Sequence, residues 1–268
     1  MELPRYAGRV RTTGVDGTAL VAVAVYLVVA LAWDAMVFRW LPMPGADGSS
    51  MSMDMAAPGV PEAMATGSGA TGWALYLLMW GVMMIAMMYP SSVPLVRLYY
   101  RTLTGVSTRA KSLRVGAFLG TYTLVWTATG LVPLAANRVV PITAVGGSEV
   151  LLGGTLLLLA GYQLSSYKDR CLRHCRLPLG YLMQHHRPGV RGASRMGLEH
   201  AWFCLGCCWA LFAFMVVVGT MNLVWMVLIT AVLSLERTVS WGDTLARGVG
   251  VAAGVAGCAV LFATLLGG

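Results

Sequence analysis

Five of the six cysteines and all four histidines of the chain fall between residues 171 and 208. They form two groups, Cys-Leu-Arg-His-Cys at 171–175 and His-Ala-Trp-Phe-Cys-Leu-Gly-Cys-Cys at 200–208. With residues 200–208 helical and about 100° between successive side chains, His200, Cys204, Cys207 and Cys208 share an arc of about 100°. On a single helical turn Cys171 and Cys175 also face one way, with His174 between them in sequence. Thiols and imidazoles at this density are a metal-ligand set, and surrounding positive charge favours the thiolate form that binds metal. The spacing is not that of a zinc ribbon, and no Cys-x-x-Cys-His is present for covalent haem attachment. Glu199 points about 100° away from His200 and reads as a supporting or helix-start group. His185 and His186, in Gln-His-His-Arg-Pro, read as interfacial residues.

Methionines form a second candidate set. Met51, Met53 and Met55 alternate in Met-Ser-Met-Asp-Met, and Met79, Met83, Met84, Met87 and Met88 fall within ten residues. A spacing of four puts Met79, Met83 and Met87 on one helical stripe and Met84 and Met88 on the next. Thioethers are soft, uncharged ligands that suit Cu(I) and stay competent where thiols oxidise. Taken alone, such rows are also what a helix core uses as filler, and 51–55 reads equally as a linker. Beside the Cys/His set they point to copper, as Cu(I), first and zinc second.

The elements that must position these residues are apolar helices. Of 268 residues, 57% are hydrophobic and 11% charged, and the mean hydropathy is +0.71. That composition reads as an all-α, polytopic transmembrane helix bundle in a lipid bilayer. It is taken as one integral membrane domain over residues 1–268. The net charge of +8 lies between apolar segments, so it serves orientation rather than a nucleic-acid partner.

Apolar segments are expected at about 18–38, 73–92, 115–136, 150–166, two within 201–235 divided at Gly219-Thr220-Met221-Asn222, and 249–266. Pro90 is expected to kink or end the second. A Met-rich external loop over 41–72 has no Lys or Arg, and a Cys/His-rich loop over 167–199 holds the largest basic cluster. On this seven-helix reading, 17 of the 19 Lys and Arg fall inside, leaving Arg39 and Arg138 outside. A six-helix alternative moves Arg237 and Arg247 outside. The N-terminus and the Cys/His loop are thus expected in the cytoplasm, with the thiols reduced at the cytoplasmic mouth of the fifth helix. The first apolar run is read as a retained helix rather than a signal peptide. Gly250, Gly254 and Gly257 give the last helix a small-residue packing face, with Cys258 a packing residue.

The motifs Met-Trp-Gly-Val-Met-Met-Ile-Ala-Met-Met-Tyr-Pro at 79–90, Cys-Leu-Arg-His-Cys-Arg at 171–176, Gly-Ala-Ser-Arg-Met-Gly-Leu-Glu-His-Ala-Trp-Phe-Cys-Leu-Gly-Cys-Cys-Trp at 192–209 and Met-Asn-Leu-Val-Trp-Met at 221–226 resemble one family. It is described as predicted metal-binding integral membrane proteins, was long filed as a domain of unknown function, and is sometimes labelled copper chaperone. The resemblance covers about residues 70–240. It departs at Ala201, where Gly is common, and at Phe203, where Tyr is common. It implies a multi-pass protein of the bacterial inner membrane, with Cys171, Cys175, His200, Cys204, Cys207 and Cys208 at the metal-binding positions.

No Ser/His/Asp spacing supports nucleophilic catalysis, and no catalytic residue is assigned. The leading expectation is Cu(I) acquisition, handoff or insertion, with a copper-donating or copper-accepting protein as partner. Two rivals stand beside it: a membrane thiol-disulfide oxidoreductase using Cys204 and Cys207, and an accessory subunit held by a structural metal such as zinc.

Overall fold

The computed structural model describes residues 17–42, 55–145 and 148–267. Regular structure among them is entirely helical: α1 (Gly17–Val37), α2 (Val60–Gly67), α3 (Gly69–Thr102), α4 (Thr108–Thr129), α5 (Leu131–Val139), α6 (Ile142–Val145), α7 (Glu149–Gln163), α8 (Ser166–Arg176), α9 (Pro178–His185), α10 (Gly189–Val218), α11 (Leu223–Thr238) and α12 (Gly242–Gly267). Among the described residues five helices are long and apolar enough to cross a membrane: α1, α3, α4 continued by α5, α10 and α12. A sixth results if α7 and α8, bent by 65°, are one broken span. α11, the remaining segment of the seven-helix expectation, has 16 residues. At about 1.5 Å per residue it covers about 24 Å, less than a hydrocarbon core of about 30 Å. Leu20, Leu27 and Leu31 of α1 and Val255, Phe262 and Leu265 of α12 are exposed on the bundle surface, which fits lipid contact.

Helix starts follow from side-chain caps. The hydroxyls of Ser107, Ser148 and Ser165 accept from the N–H groups of Ala110, Leu151 and Lys168. Asn222 accepts from Val224 and Trp225. Each cap satisfies a donor that the first helical turn leaves free. The expected division at 219–222 forms: α10 ends at Gly219, whose φ of 110° suits glycine, and a Cβ there would lie 2.1 Å from the Ala56 carbonyl oxygen.

Pro90 neither ends α3 nor sets its boundary, because the helix continues through Pro90 and Pro94 to Thr102. Lacking an N–H, Pro90 leaves the Ala86 carbonyl without its intrahelical donor. Trp33 Nε1 of α1 donates to that carbonyl at 3.1 Å. The backbone defect thereby becomes the polar link between α1 and α3, which lie antiparallel with Gly17 against Tyr100 at their far ends. Small residues bring other pairs together. A Cβ on Gly197 would come 2.3 Å from the Phe118 carbonyl oxygen, so α10 can meet the α4 backbone only at a glycine. Gly250, Gly254 and Gly257 of α12 pack on α7, as their spacing predicts. Cys258 is exposed rather than packed.

Both loops are more structured than expected. Residues 167–199 hold most of α8, all of α9 and the first turns of α10. Of residues 41–72, Met51 and Met53 lie outside the described residues, and Met55 is partly buried. Beyond it α2 packs against α3 and α5. Its Glu62 is fully buried, with Oε1 accepting from the Tyr76 hydroxyl at 2.7 Å and Thr220 Oγ1 at 3.0 Å. Glu62 thus ties α2 to α3 and to the turn before α11. Among the described residues Oε2 has no hydrogen-bond partner.

Burial pushes the Glu62 carboxyl above its ordinary range, and the hydroxyl bonds offset this only in part. A carboxyl raised on folding contributes stability that is present below its unfolded pKa, about 4.3, and lost as pH rises through its folded value. Glu62→Gln is therefore expected to melt at a higher temperature than the parent at about pH 8, the gap closing toward about pH 4. Thermal unfolding of detergent-solubilised protein at the two pH values checks this.

Candidate metal centre

Cys204, Cys207 and Cys208 face the bundle interior from α10, and none is more than 1% exposed. The arc expected from their spacing forms, but several turns inside a helix that begins at Gly189 rather than at its mouth. Cys207 and Cys208 fold back on the Cys204 carbonyl, with sulfurs 3.2 and 2.8 Å from its oxygen. α8 supplies the facing thiols. Cys175 Sγ lies 3.8 Å from Cys207 Sγ, while Cys171, one turn earlier, abuts Gly206, where a Cβ would meet its sulfur at 2.9 Å. All of these cysteines are free thiols.

The histidines divide as their helix faces dictate. His200 is buried, stacked on Tyr122 at 5.4 Å between centroids and edged by Tyr181. The Tyr122 hydroxyl lies 2.9 Å from Cys204 Sγ. His174 is not brought to the thiols: its Nδ1 lies 2.9 Å from the Arg170 carbonyl oxygen, and its ring stacks on Phe203 at 4.4 Å. One residue from Cys175, it points about 100° away from the thiol face. His185 stacks on Tyr181, and His186 meets the edge of Tyr99.

Arg237, near the end of α11, is 6% exposed and points into this cluster. Its Nη2 donates to Cys207 Sγ at 3.1 Å, and its Nη1 to Ser91 Oγ at 2.8 Å, with Met88 Sδ 3.9 Å away. The carboxylate next to it in sequence is already engaged. Glu236 pairs with Lys168 of α8 at 2.7 Å and accepts from Gln163 of α7 at 3.0 Å, with the ion pair 1% exposed on both sides. Among the described residues Arg237 forms no ion pair with a carboxylate, and its Nε has no hydrogen-bond partner. Counting Arg237 as a loop charge missed it. The available signal was an acid–base pair at the end of an otherwise apolar segment, where charges are expensive.

Met79, Met83 and Met87 are all buried in the continuous apolar core. The methionine that reaches the thiol and guanidinium cluster is Met88, on the neighbouring stripe. Met215 of α10 and Met226 of α11, fully buried in the same core, add thioethers that the sequence reading did not single out. A cavity of 130 Å³ lies against the cluster, lined by Ser91, Cys175, Arg176, His200 and Arg237 among others. Its wall from α8 is held by the Lys168–Glu236 pair and by Arg176, which pairs with Asp243 and donates to the carbonyls of Val239 and Ser240.

A family model, PpoB2, described as a copper chaperone, matches residues 77–260. The chain belongs to this copper chaperone family. The matched stretch contains the five clustered cysteines, His200, Met88 and Arg237, so the whole cluster lies within the copper chaperone region. α1, α2 and the methionines at 51–55 lie before it. No curated protein and no solved structure matches the chain.

Because α8 carries Cys175, the Lys168–Glu236 pair controls where that thiol sits. Glu236→Ala leaves a buried ammonium uncompensated and is expected to cost about 3–5 kcal/mol, whereas Lys168→Met with Glu236→Met recovers most of the loss. Thermal unfolding of the two variants, with alkylation of Cys175 as a local probe, checks this.

Proposed function

We propose that this member of the copper chaperone family binds Cu(I) through the thiols of Cys175 and Cys207, with Cys204 and Cys208 beside them, and passes it to a partner protein. The observation that carries this reading is the 3.8 Å approach of two thiols from different helices beside a guanidinium with no carboxylate. Thiolates and thioethers are the ligands that favour Cu(I). A closed zinc site wants four ligands, whereas the close approach here is of two thiols with a thioether near the same guanidinium. The donor set therefore supports Cu(I) over zinc. His200 and Cys171 border the thiol pair and would complete or relay the site, while His174 would need to leave Phe203 to join.

Met55, with Met51 and Met53, would capture the ion on the outer side. Met79, Met83 and Met87 would carry it through α3, and Met88 would deliver it beside Cys207. The positive-inside distribution of Lys and Arg supports a cytoplasmic position for the basic end and its cavity, in a bacterial inner membrane. Transfer between soft ligands suits a chaperone, since thioethers bind weakly enough to release an ion to thiolates. The cavity beside Cys175 would admit the donor or acceptor protein's ligand.

The sulfur–sulfur approach also favours a second reading. Two free thiols at 3.8 Å are placed for a dithiol/disulfide couple, which moves the oxidoreductase alternative from Cys204/Cys207 to Cys175/Cys207.

Equilibrium Cu(I) titration of the purified protein under reducing conditions separates the readings. Changing Cys204, Cys207 and Cys208 together to Ser is expected to abolish tight binding, and Cys175→Ser to weaken it. Met79, Met83 and Met87 changed to Leu are expected to leave the equilibrium affinity and slow loading. Unchanged stoichiometry in the triple serine variant overturns the copper reading. Reversible cycling of the metal-free protein between dithiol and disulfide favours the redox one.

A further inference from the structure

Thiol ligation by itself does not call for a buried guanidinium. Arg237 cannot lose its proton in a protein, and a buried charge needs a compensating one. Among the described residues the groups around it leave that charge to the thiols, Cys207 nearest at 3.1 Å with Cys175, Cys204 and Cys208 packed about it. On α11 itself, Glu236 is cancelled by Lys168. On α3, Ser91 and Met88 are neutral. α10 and α8 present Cys207 and Cys175, and His200 and Arg176 share the adjoining cavity, with Arg176 paired to Asp243. The guanidinium therefore stands where a negative charge on the thiol cluster, nearest at Cys207, would compensate it.

We propose that Arg237 sets the charge of the ion that the Cys175/Cys207 pair accepts, selecting monovalent soft cations, Cu(I) and Ag(I), over divalent ones such as Zn(II). The proposal rests on the reading of these thiols as a soft-metal site and names what makes that site selective. Metal binding displaces the thiol protons. Two thiolates around a monovalent ion carry one negative charge, which the guanidinium 3.1 Å from Cys207 cancels. The same two thiolates around a divalent ion are neutral and leave Arg237 uncompensated where the low local dielectric makes that costly, so a divalent ion would have to draw in a third thiolate, from Cys204 or Cys208, to reach the same balance. The bonds from Nη1 to Ser91 and from Nη2 to Cys207 hold the guanidinium between α3 and α10. Arg237 is a positioning and selectivity residue here, not a ligand.

The test titrates Ag(I) and Zn(II) separately into purified, metal-free, full-length protein in detergent. Arg237→Met is expected to lower Ag(I) affinity about 10- to 100-fold without lowering Zn(II) affinity, so the Ag(I)/Zn(II) ratio falls. Arg237→Lys, which keeps the charge, is expected to restore most of that ratio. Arg237→Gln keeps a donor toward Ser91 without the charge and gives the same reading if the Met variant does not fold. An unchanged ratio, or equal loss for both ions, in a charge-removing variant with parental helicity and melting temperature overturns the proposal and makes Arg237 a packing residue. Parental Ag(I) affinity in Cys207→Ser instead overturns the thiol reading, and the selectivity argument with it.

Discussion

A guanidinium inside an apolar bundle must be met by something negative or polar, and Arg237 is met by a sulfur, a hydroxyl and a thioether. Those three partners come from α10 and α3, the guanidinium comes from α11, and the facing thiol comes from α8. Four helices are thus registered against one another by a single charge. The same constraint governs the other buried ionic groups. Lys168 and Glu236 neutralise each other and take Gln163 with them, and Glu62 recruits two hydroxyls. Polar groups this deep act as registers as much as stabilisers, since a shift of one helical turn would strand each of them.

The helical class was legible because hydropathy alone demands spans, and the division at Gly219 was legible because a glycine and a capping Asn stand together. The facing of Cys204, Cys207 and Cys208 followed from helical spacing, as did the pairing of Cys171 with Cys175 on one side of α8. What could not be read was long-range. Nothing local to Cys175 says that Cys207 is its neighbour, and nothing local to Arg237 says that it turns inward. A basic residue at the end of an apolar run counts as a loop charge until the partner helix is known. The segment that holds α2 reads as linker from its Gly, Ala and Pro, yet Glu62 is buried by contacts that reach Thr220, far along the chain. Pro90 reads in the sequence as a kink or an end to its helix, not as a site that another helix fills.

Membership of a copper chaperone family and the buried thiol cluster are separate lines that meet at the same residues, since the matched region spans the cluster from Met88 to Arg237. On the proposed reading the chemistry suits transfer more than storage. The buried thiols adjoin a cavity on one side and a methionine-rich helix on the other, so an ion bound there would have soft donors beside it.

The Trp33 bond to the Ala86 carbonyl also bears on how the bundle is assembled. A bare carbonyl in hydrocarbon costs several kcal/mol, and the acceptor that Pro90 frees in α3 is met by a second helix through Trp33. α1 precedes α3 in the chain, so the partner that closes this bond is the preceding helix. Docking of the helix that bears the methionine rows on its predecessor thus supplies the hydrogen bond that its own proline removes.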